Sequence, residues 1–284
     1  MTRIALLSDV HGDITALQAV VKNLEKEKIE ESWYLGDLLM PGPGTNELFE
    51  MLDSVNTTVL LRGNWDNFLF EDVSKLTERD LKDPVTPYIL MLMKYTLNKT
   101  KPEYLDKLKT APIYKSLDVN GSKILLTHNT KKRNFGHELL PYQSQANFDD
   151  LFDDIDYDLA VYGHTHHQIM RTSSKDQLII NPGSIGQPYT ERIKFRPDRR
   201  AQYAIIDIDK YGYTNIEFKK ISYDVNHELE LAKEMNLPYI ELYKKLFTEG
   251  IAYTHDQPEL KKYMELHDYK SEAMKFYKQL LNFE

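Results

Sequence analysis

Three absences limit what this chain of 284 residues can do. It has no cysteine, which excludes disulfides, thiolate zinc sites and a cysteine nucleophile. No apolar run reaches membrane-spanning length, and Ile4-Ala5-Leu6-Leu7 is too short for the core of a signal peptide. The net charge of −8 provides no long-range positive field for capturing nucleic acid. We therefore expect a cytoplasmic protein with neither a membrane nor a nucleic acid as its partner.

Hydrophobic residues make up 41% of the chain, which is enough for a substantial core. In the first 61 residues, short apolar runs alternate with amphipathic segments. They predict strands at 3–7, 32–35 and 57–61, and helices at 14–24 and 46–52. This alternation indicates a parallel sheet with right-handed crossovers, whose strands end at one common crevice.

The rest of the chain departs from this pattern in two places. Residues 68–112 are polar, show helical periodicity at 87–97 and 102–108, and are predicted as a helical cap insertion over the crevice. Strands are then expected at 113–119, 122–127, 158–162, 168–172, 178–181, 201–207 and 215–221, the first two joined by a turn at Asn120-Gly121. Residues 223–284 are predicted as a helical extension, acting as a lid or as an arm through which the protein forms homo-oligomers.

Polar clusters follow five of the apolar runs, at the points where strands are expected to end. The clusters are Asp9-Val10-His11, Gly36-Asp37, Gly63-Asn64, His128 and Gly163-His164-Thr165-His166. Taken alone, each is an ordinary turn or an isolated polar group. Because five occur in one series, the pattern favours a metal site assembled from distant loops.

The donor types suit two divalent ions. Asp37 could bridge two ions because a carboxylate has two oxygens, and Asn64 offers a neutral amide oxygen. Imidazole and carboxylate ligands accept Mn, Fe, Zn, Ni or Co. Two such ions can lower the pKa of a water between them and hold the oxygens of a phosphoryl group.

These motifs resemble those of the calcineurin-like metallophosphoesterase superfamily over residues 1 to about 222. The resemblance implies an αββα sandwich of two mixed sheets with a dinuclear site, for which we expect manganese or iron. Carried over by position, it implies that one ion is held by Asp9, His11, Asp37 and His166. The other would be held by Asp37, Asn64, His128 and His164, so that Asp37, Asn64 and His128 also act in catalysis.

Two further segments, residues 36–43 and 181–184, resemble the small prokaryotic phosphodiesterase branch. Within it, the chain resembles streptococcal asymmetric diadenosine tetraphosphate hydrolases. Protein phosphatases and symmetrical dinucleoside hydrolases carry Asp-Arg-Gly or Asn-Arg-Gly where this chain has Met40-Pro41-Gly42. The resemblance therefore implies a phosphodiesterase that cleaves diadenosine tetraphosphate asymmetrically, to ATP and AMP.

The chain departs from many relatives at Trp65, where they carry a histidine that protonates the leaving group. Either another group acts as the acid or the leaving group is weakly basic, as a nucleotide phosphate is. We expect Asp66 to orient a ligand such as His128 rather than to act as the acid.

Several residues are candidates for binding a nucleotide. Arg62, Arg133 and Arg196 could contact phosphate, and Tyr88 could stack on adenine, as could Tyr142 and Tyr189. Each could equally be a structural residue. Alternatives for the whole protein are a phosphomonoesterase or cyclic-nucleotide phosphodiesterase with the same site, a scaffold without activity, and a polyphosphate sensor.

Overall fold

Two mixed sheets of five strands pack face to face in the computed structural model, which describes residues 1–77 and 79–282. The first has the order β10-β9-β1-β2-β3 and the second the order β4-β5-β6-β8-β7. In chain order the strands are β1 Thr2–Leu7, β2 Glu31–Tyr34, β3 Thr57–Leu60, β4 Tyr114–Val119, β5 Ser122–Thr127, β6 Leu159–Tyr162, β7 Gln168–Thr172, β8 Leu178–Pro182, β9 Ala201–Asp209 and β10 Gly212–Ile221. Strands β1, β2 and β3 of the first sheet are parallel to one another, as are β5, β6 and β8 of the second. Strands β9 and β10, and the edge strands β4 and β7, pair in antiparallel fashion.

Alternation along the strands creates the layers. On β1, Ile4 and Leu6 face the second sheet, where they meet residues such as Ile124 of β5 in one buried cluster. Ala5 and Leu7 point to the opposite face and pack against helices. Because successive side chains of a strand alternate between its faces, both faces of the sheet are covered. The αββα sandwich expected from the sequence is confirmed.

Ten α-helices are assigned within the described residues. They are α1 Ile14–Leu24, α2 Asn46–Ser54, α3 Asn64–Asn67, α4 Val85–Lys99, α5 Pro102–Thr110, α6 Gln145–Asp149, α7 Val225–Glu234, α8 Ile240–Glu249, α9 Gln257–Leu266 and α10 Tyr269–Leu281. Helix α1 begins where it does because the side chain of Asp13 accepts a hydrogen bond from the Ala16 N–H. None of these helices is long and apolar enough to cross a membrane.

The helical insertion does not cover the crevice, which corrects our expectation for residues 68–112. Helix α4 instead packs beside α9 and α10, and Lys94 forms an ion pair with Glu272 at 3.1 Å. Its apolar residues share one core with α1, α2 and the C-terminal helices. The insertion and the extension thus form a single helical layer. Oligomerisation through the extension stays a prediction.

Candidate metal centre

Two groups of potential metal ligands lie side by side where the parallel strands end. One contains Asp9, His11 and His166, and the other contains Asp37, His128 and His164, with donor atoms in each group within 4.8 Å of one another. The first sheet supplies Asp9, His11, Asp37 and Asn64, while the histidines at 128, 164 and 166 follow strands of the second. The structure therefore brings all seven expected residues to one place.

Asp37 lies between the two groups. Its Oδ2 atom is 3.7 Å from His11 Nε2 and 3.4 Å from His128 Nε2. The Asn64 Oδ1 atom is 3.2 Å from the same nitrogen of His128. One oxygen of Asp37 thus faces both groups, as a bridging ligand would.

Backbone carbonyl groups fix the orientation of the four histidines. The contacts are His11 Nδ1 to Met40 O at 2.9 Å, His128 Nδ1 to Leu35 O at 2.7 Å, His166 Nδ1 to Gln187 O at 2.7 Å and His164 Nε2 to Gly136 O at 2.8 Å. Because a carbonyl only accepts, each of these nitrogens carries the proton. The other nitrogen of each ring then faces the site, an arrangement typical of metal-ligating histidine.

The unpaired atoms at the centre fit a cation. The Nε2 atoms of His11 and His166 lie 3.1 Å apart, although both are set up as acceptors. Asp9 Oδ1 is buried and has no hydrogen-bond partner among the described residues, and it lies 3.3 Å from His166 Nε2. Buried acceptors that face one another without a donor are costly unless a positive charge joins them. These residues form a site for a divalent metal ion.

Five of the seven residues have a left-handed backbone: Asp9, His11, Asp37, His164 and His166, with φ between 53° and 63°. This conformation is uncommon for residues other than glycine, and it is concentrated at functional sites. It lets the chain turn sharply after each strand, so that ligands two residues apart, such as Asp9 and His11, both reach the centre.

Asp66 supports the centre from beneath, but not through His128 as we expected. Its buried carboxylate accepts hydrogen bonds from the N–H groups of Asp37, Leu38, Leu39 and Gly63. The Leu35 carbonyl, not Asp66, binds the distal nitrogen of His128. Burial and the charge of Asp37 raise the pKa of Asp66 to about 7. Asp66 therefore positions the loop that carries Asp37.

Burial and neighbouring charges shift the pKa values of the ligands. Burial alone would lower the pKa of His128, but the carboxylate of Asp37 outweighs it and raises that pKa to about 9. The same pairing holds the pKa of Asp37 below its ordinary value, despite its burial. Burial and the neighbouring His128 lower the pKa of His164 to about 4. The centre therefore keeps its carboxylates ionised.

Gly63 permits the close approach of two loops. A Cβ atom at this position would lie 2.0 Å from Asp37 Oδ1 and 2.3 Å from its backbone nitrogen. Any side chain would displace the bridging carboxylate. The glycine that precedes Asn64 is thus required by packing, because another loop occupies the space of a side chain.

A cleft of about 410 Å³ opens above the two groups. Asp37, Asn64, His164 and His166 form part of its lining. The walls come from three other segments: residues 136–142, residues 187–199, and residues 246–255 of the C-terminal extension. Among the described residues, none between 68 and 112 lines it. The extension therefore takes the place that we had assigned to the insertion.

Two of the residues proposed to bind substrate are engaged elsewhere. Tyr88 is buried in the helical layer, edge-to-face with Tyr239 at 4.9 Å, so it cannot stack on a base. Arg62 donates from Nη1 to the carbonyl of Lys109 at 2.6 Å and does not line the cleft. Both expectations are corrected because these side chains complete packing between elements.

The other two arginines also lie outside the cleft lining. Arg133 forms an ion pair with Glu138 and borders a separate depression with Lys131 and Lys132. Arg196 packs its Cβ against Gly250, and its Nε atom is buried without a partner among the described residues. Arg133 and Arg196 each lie in a basic stretch of the sequence, and such a stretch does not indicate which of its side chains points into the cleft.

The cleft contains residues that the sequence did not single out. Arg199 lines it, as do His137 and His255, both of which are exposed. Two residues that the sequence did indicate, Tyr142 and Tyr189, also line the cleft. Both are exposed, so their rings are accessible to a base. In the sequence, Arg199 is one of five basic residues between positions 192 and 200. Nothing in the sequence placed the C-terminal His255 near the metal ligands.

Known proteins resemble this chain in sequence and in fold. An uncharacterised protein of Methanocaldococcus jannaschii is 27% identical over 250 residues, which cover 83% of this chain and 93% of that protein. A symmetrical bis(5'-nucleosyl)-tetraphosphatase of Enterobacter is 30% identical over 86 residues, or 30% of each chain. The crystal structure of a metallophosphoesterase from Sphaerobacter thermophilus has a TM-score of 0.65 at 22% identity, covering 88% of this chain and 100% of that one.

The family assignment rests on a longer match. Residues 2–211 match the model of the calcineurin-like phosphoesterase superfamily domain. The matched segment contains nine of the ten strands and all seven candidate ligands. The chain belongs to the calcineurin-like phosphoesterase superfamily and is a metal-dependent phosphoesterase.

Proposed function

We propose that this protein hydrolyses phosphodiester and phosphoanhydride bonds in nucleotides, cleaving diadenosine tetraphosphate asymmetrically to ATP and AMP. The observation that carries this proposal is the cleft, which joins the metal ligands to two exposed tyrosines. A phosphate over the metal ligands and a base beside the tyrosines can be bound together in such a site.

The ligands divide into two sets that share Asp37. Asp9, His11 and His166 would hold one ion with it, and Asn64, His128 and His164 would hold the other. Bound divalent ions polarise a phosphoryl oxygen and lower the pKa of a water molecule. The chain itself holds the carboxylates ionised and aims the imidazole nitrogens through backbone carbonyl groups.

Trp65 favours a weakly basic leaving group. It lines the cleft, and its backbone N–H donates to Asp37 Oδ1 at 2.8 Å, so its side chain stands next to the reaction site. An indole does not protonate a departing alkoxide. A nucleotide phosphate needs little protonation to depart, whereas an alkyl alkoxide needs much. Phosphoanhydrides and aryl esters therefore fit this site better than alkyl esters.

The sequence that follows Asp37 supports asymmetric cleavage. The partial likeness to a symmetrical tetraphosphatase agrees with a nucleotide substrate. This chain, however, has Met40-Pro41-Gly42 where the symmetrical enzymes carry an arginine-glycine pair. We therefore expect attack at the α-phosphate, which releases AMP and ATP.

A panel of substrates with product identification tests the proposal. Protein supplied with Mn²⁺ should hydrolyse bis-p-nitrophenyl phosphate and convert diadenosine tetraphosphate to ATP and AMP. It should turn over p-nitrophenyl phosphate and cyclic nucleotides more slowly. Two ADP as the product, or a preference for monoesters or cyclic nucleotides, would contradict it.

Variants of the ligands test the chemistry at the centre. Asp37→Ala and His128→Ala should each lower turnover by at least about a hundredfold, since each removes a buried ligand. His227→Ala is the matched control, because His227 is exposed on α7. Full activity after the metal has been stripped would overturn the proposed function.

A further inference from the structure

One arginine of the cleft forms no ion pair with any described residue. Arg199 lines the same cleft as Asp37, His164 and His166, and it is half-buried. No carboxylate of the described residues lies within 4.0 Å of its guanidinium. Glu191, also on the cleft, is exposed and makes no ion pair with it. A partly buried cation without a counter-ion is costly unless a ligand supplies one.

The adjacent carboxylate is already neutralised. Asp198 accepts from Arg200 Nε at 2.7 Å and lies 3.1 Å from Lys220 Nζ. The two positive charges hold the pKa of Asp198 well below its ordinary value. Asp198 attracts Arg199 from beyond ion-pair distance, but its carboxylate is already paired with Arg200 and Lys220.

Arg199 is held in place by contacts that leave its terminal nitrogens free. Its Nε atom donates to the Arg196 carbonyl at 2.8 Å, and its Nη atoms donate to no described residue. Gly250, the C-cap of α8 with φ of 68°, allows a close contact, since a Cβ there would lie 3.1 Å from Arg199 Nη2. The C-terminal extension thus fixes a guanidinium at the wall of the cleft.

A fixed guanidinium matches a phosphate group in shape and charge, because its donors form a planar fork. In the proposed function the metal ligands serve the phosphate that is cleaved, and Arg199 lies on a wall of the same cleft. We propose that Arg199 binds a second phosphate of the substrate, so that the enzyme prefers nucleotides with a phosphoanhydride chain over simple diesters. This inference rests on the proposed function and names its substrate class.

Comparison of two substrates tests this role. Bis-p-nitrophenyl phosphate has one phosphate, and diadenosine tetraphosphate has further phosphates beside the scissile one. For Arg199→Gln, the ratio of kcat/KM for the dinucleotide to kcat/KM for the diester should fall by about ten- to a hundredfold, mainly through KM. Arg199→Lys should recover part of the loss, because it keeps the charge but not the fork.

Arg192→Gln is the matched control, since Arg192 is exposed on the same segment and does not line the cleft. Its ratio should equal that of the wild type. An equal loss on both substrates in Arg199→Gln, or no loss, would overturn the role of Arg199 while leaving the proposed function standing. If the wild type with Mn²⁺ hydrolyses neither substrate, the proposed function itself fails, and this inference fails with it.

Discussion

Trp65 occupies the position where many relatives have the histidine that protonates the leaving group. Its ring lies edge-to-face with His11, with centroids 5.8 Å apart, and edge-to-face with Phe68 at 5.7 Å. The indole therefore forms part of the apolar wall beside the metal ligands. We therefore expect this single side chain to determine which leaving groups the site can expel.

Trp65→His should make the enzyme less dependent on a good leaving group. We expect turnover of diesters with poor leaving groups to rise by roughly tenfold or more, since a positioned acid contributes about 10²–10⁴-fold in established cases. The measurement is kcat/KM across a series of substituted phenyl phosphodiesters. The dependence on leaving-group pKa should be steep in the wild type and shallower in the variant.

Trp65→Phe serves as the control for the loss of the indole and should keep the steep dependence. Variants of the exposed histidines of the cleft test whether another residue already acts as the acid. If His137→Gln or His255→Gln alone steepens the dependence, that histidine already donates the proton. The interpretation of Trp65 would then be wrong.

The sequence predicted the identity of the ligands better than their geometry. Hard donors after apolar runs indicated Asp9, Asp37 and His128, because parallel strands end at one edge of a sheet. The left-handed backbone at five of these residues could not be inferred, since it depends on contacts between loops. The same holds for Asp66, whose four N–H partners come from two loops that are 24 or more residues apart in the chain.

At the scale of elements, the C-terminal extension is bound to the first helix through a buried acid. Glu228 of α7 is fully buried, and its Oε2 atom accepts from the N–H of Thr15 at 2.9 Å and from its hydroxyl at 3.1 Å. Tyr243 of α8 donates to Oε1 at 2.9 Å. Three helices therefore meet at one carboxyl group, beside the Asp13 cap that begins α1.

This contact should make stability depend on pH. Burial raises the pKa of Glu228 above its ordinary value of 4.5 and outweighs the hydrogen bonds from Thr15 and Tyr243, which lower it. The folded protein then holds this proton more tightly than the unfolded chain does. The contribution to stability is therefore full below pH 4.5 and is lost as the pH rises through the pKa of the folded state.

Glu228→Gln should flatten that dependence, because an amide does not ionise. Its oxygen can accept from Thr15, and its NH2 group can donate to the hydroxyl oxygen of Tyr243. The measurement is the free energy of unfolding by urea at a series of pH values above 4.5. Glu230→Gln, an exposed position on the same helix, is the control. Parallel pH profiles for Glu228→Gln and the wild type would exclude this role.

The sequence predicted which segments form helices in the insertion and the extension, but not where they lie. Helical periodicity shows that a segment has one apolar face, and it does not identify the partner of that face. The apolar residues of α4 pack with α9 and α10, which are more than 150 residues away in the chain. With this packing, residues 246–255 of the extension line the cleft, and no described residue of the insertion does.

In the whole molecule, the metal centre joins the two sheets. Asp9, His11 and Asp37 follow strands of the first sheet, while His128 and His166 follow strands of the second. An ion bound to donors from both sheets stabilises the folded sandwich, because the unfolded chain does not assemble the site. Metal binding should therefore raise the stability of the entire domain rather than of one loop.

Removal of metal should lower the Tm of the wild type, and added Mn²⁺ should restore it. An ion at a hundred times its Kd contributes about 2.7 kcal/mol by mass action, which corresponds to several degrees for a protein of this size. The measurement is thermal unfolding after chelation and across a Mn²⁺ titration.

Two variants serve as controls for this measurement. Asp37→Ala should show a much smaller shift in Tm, since it removes the ligand shared by both groups, whereas His227→Ala should show the full shift. An equal shift in Asp37→Ala would mean that Mn²⁺ stabilises the protein from another site, and a wild type without any shift would mean that the ion does not hold the sheets together.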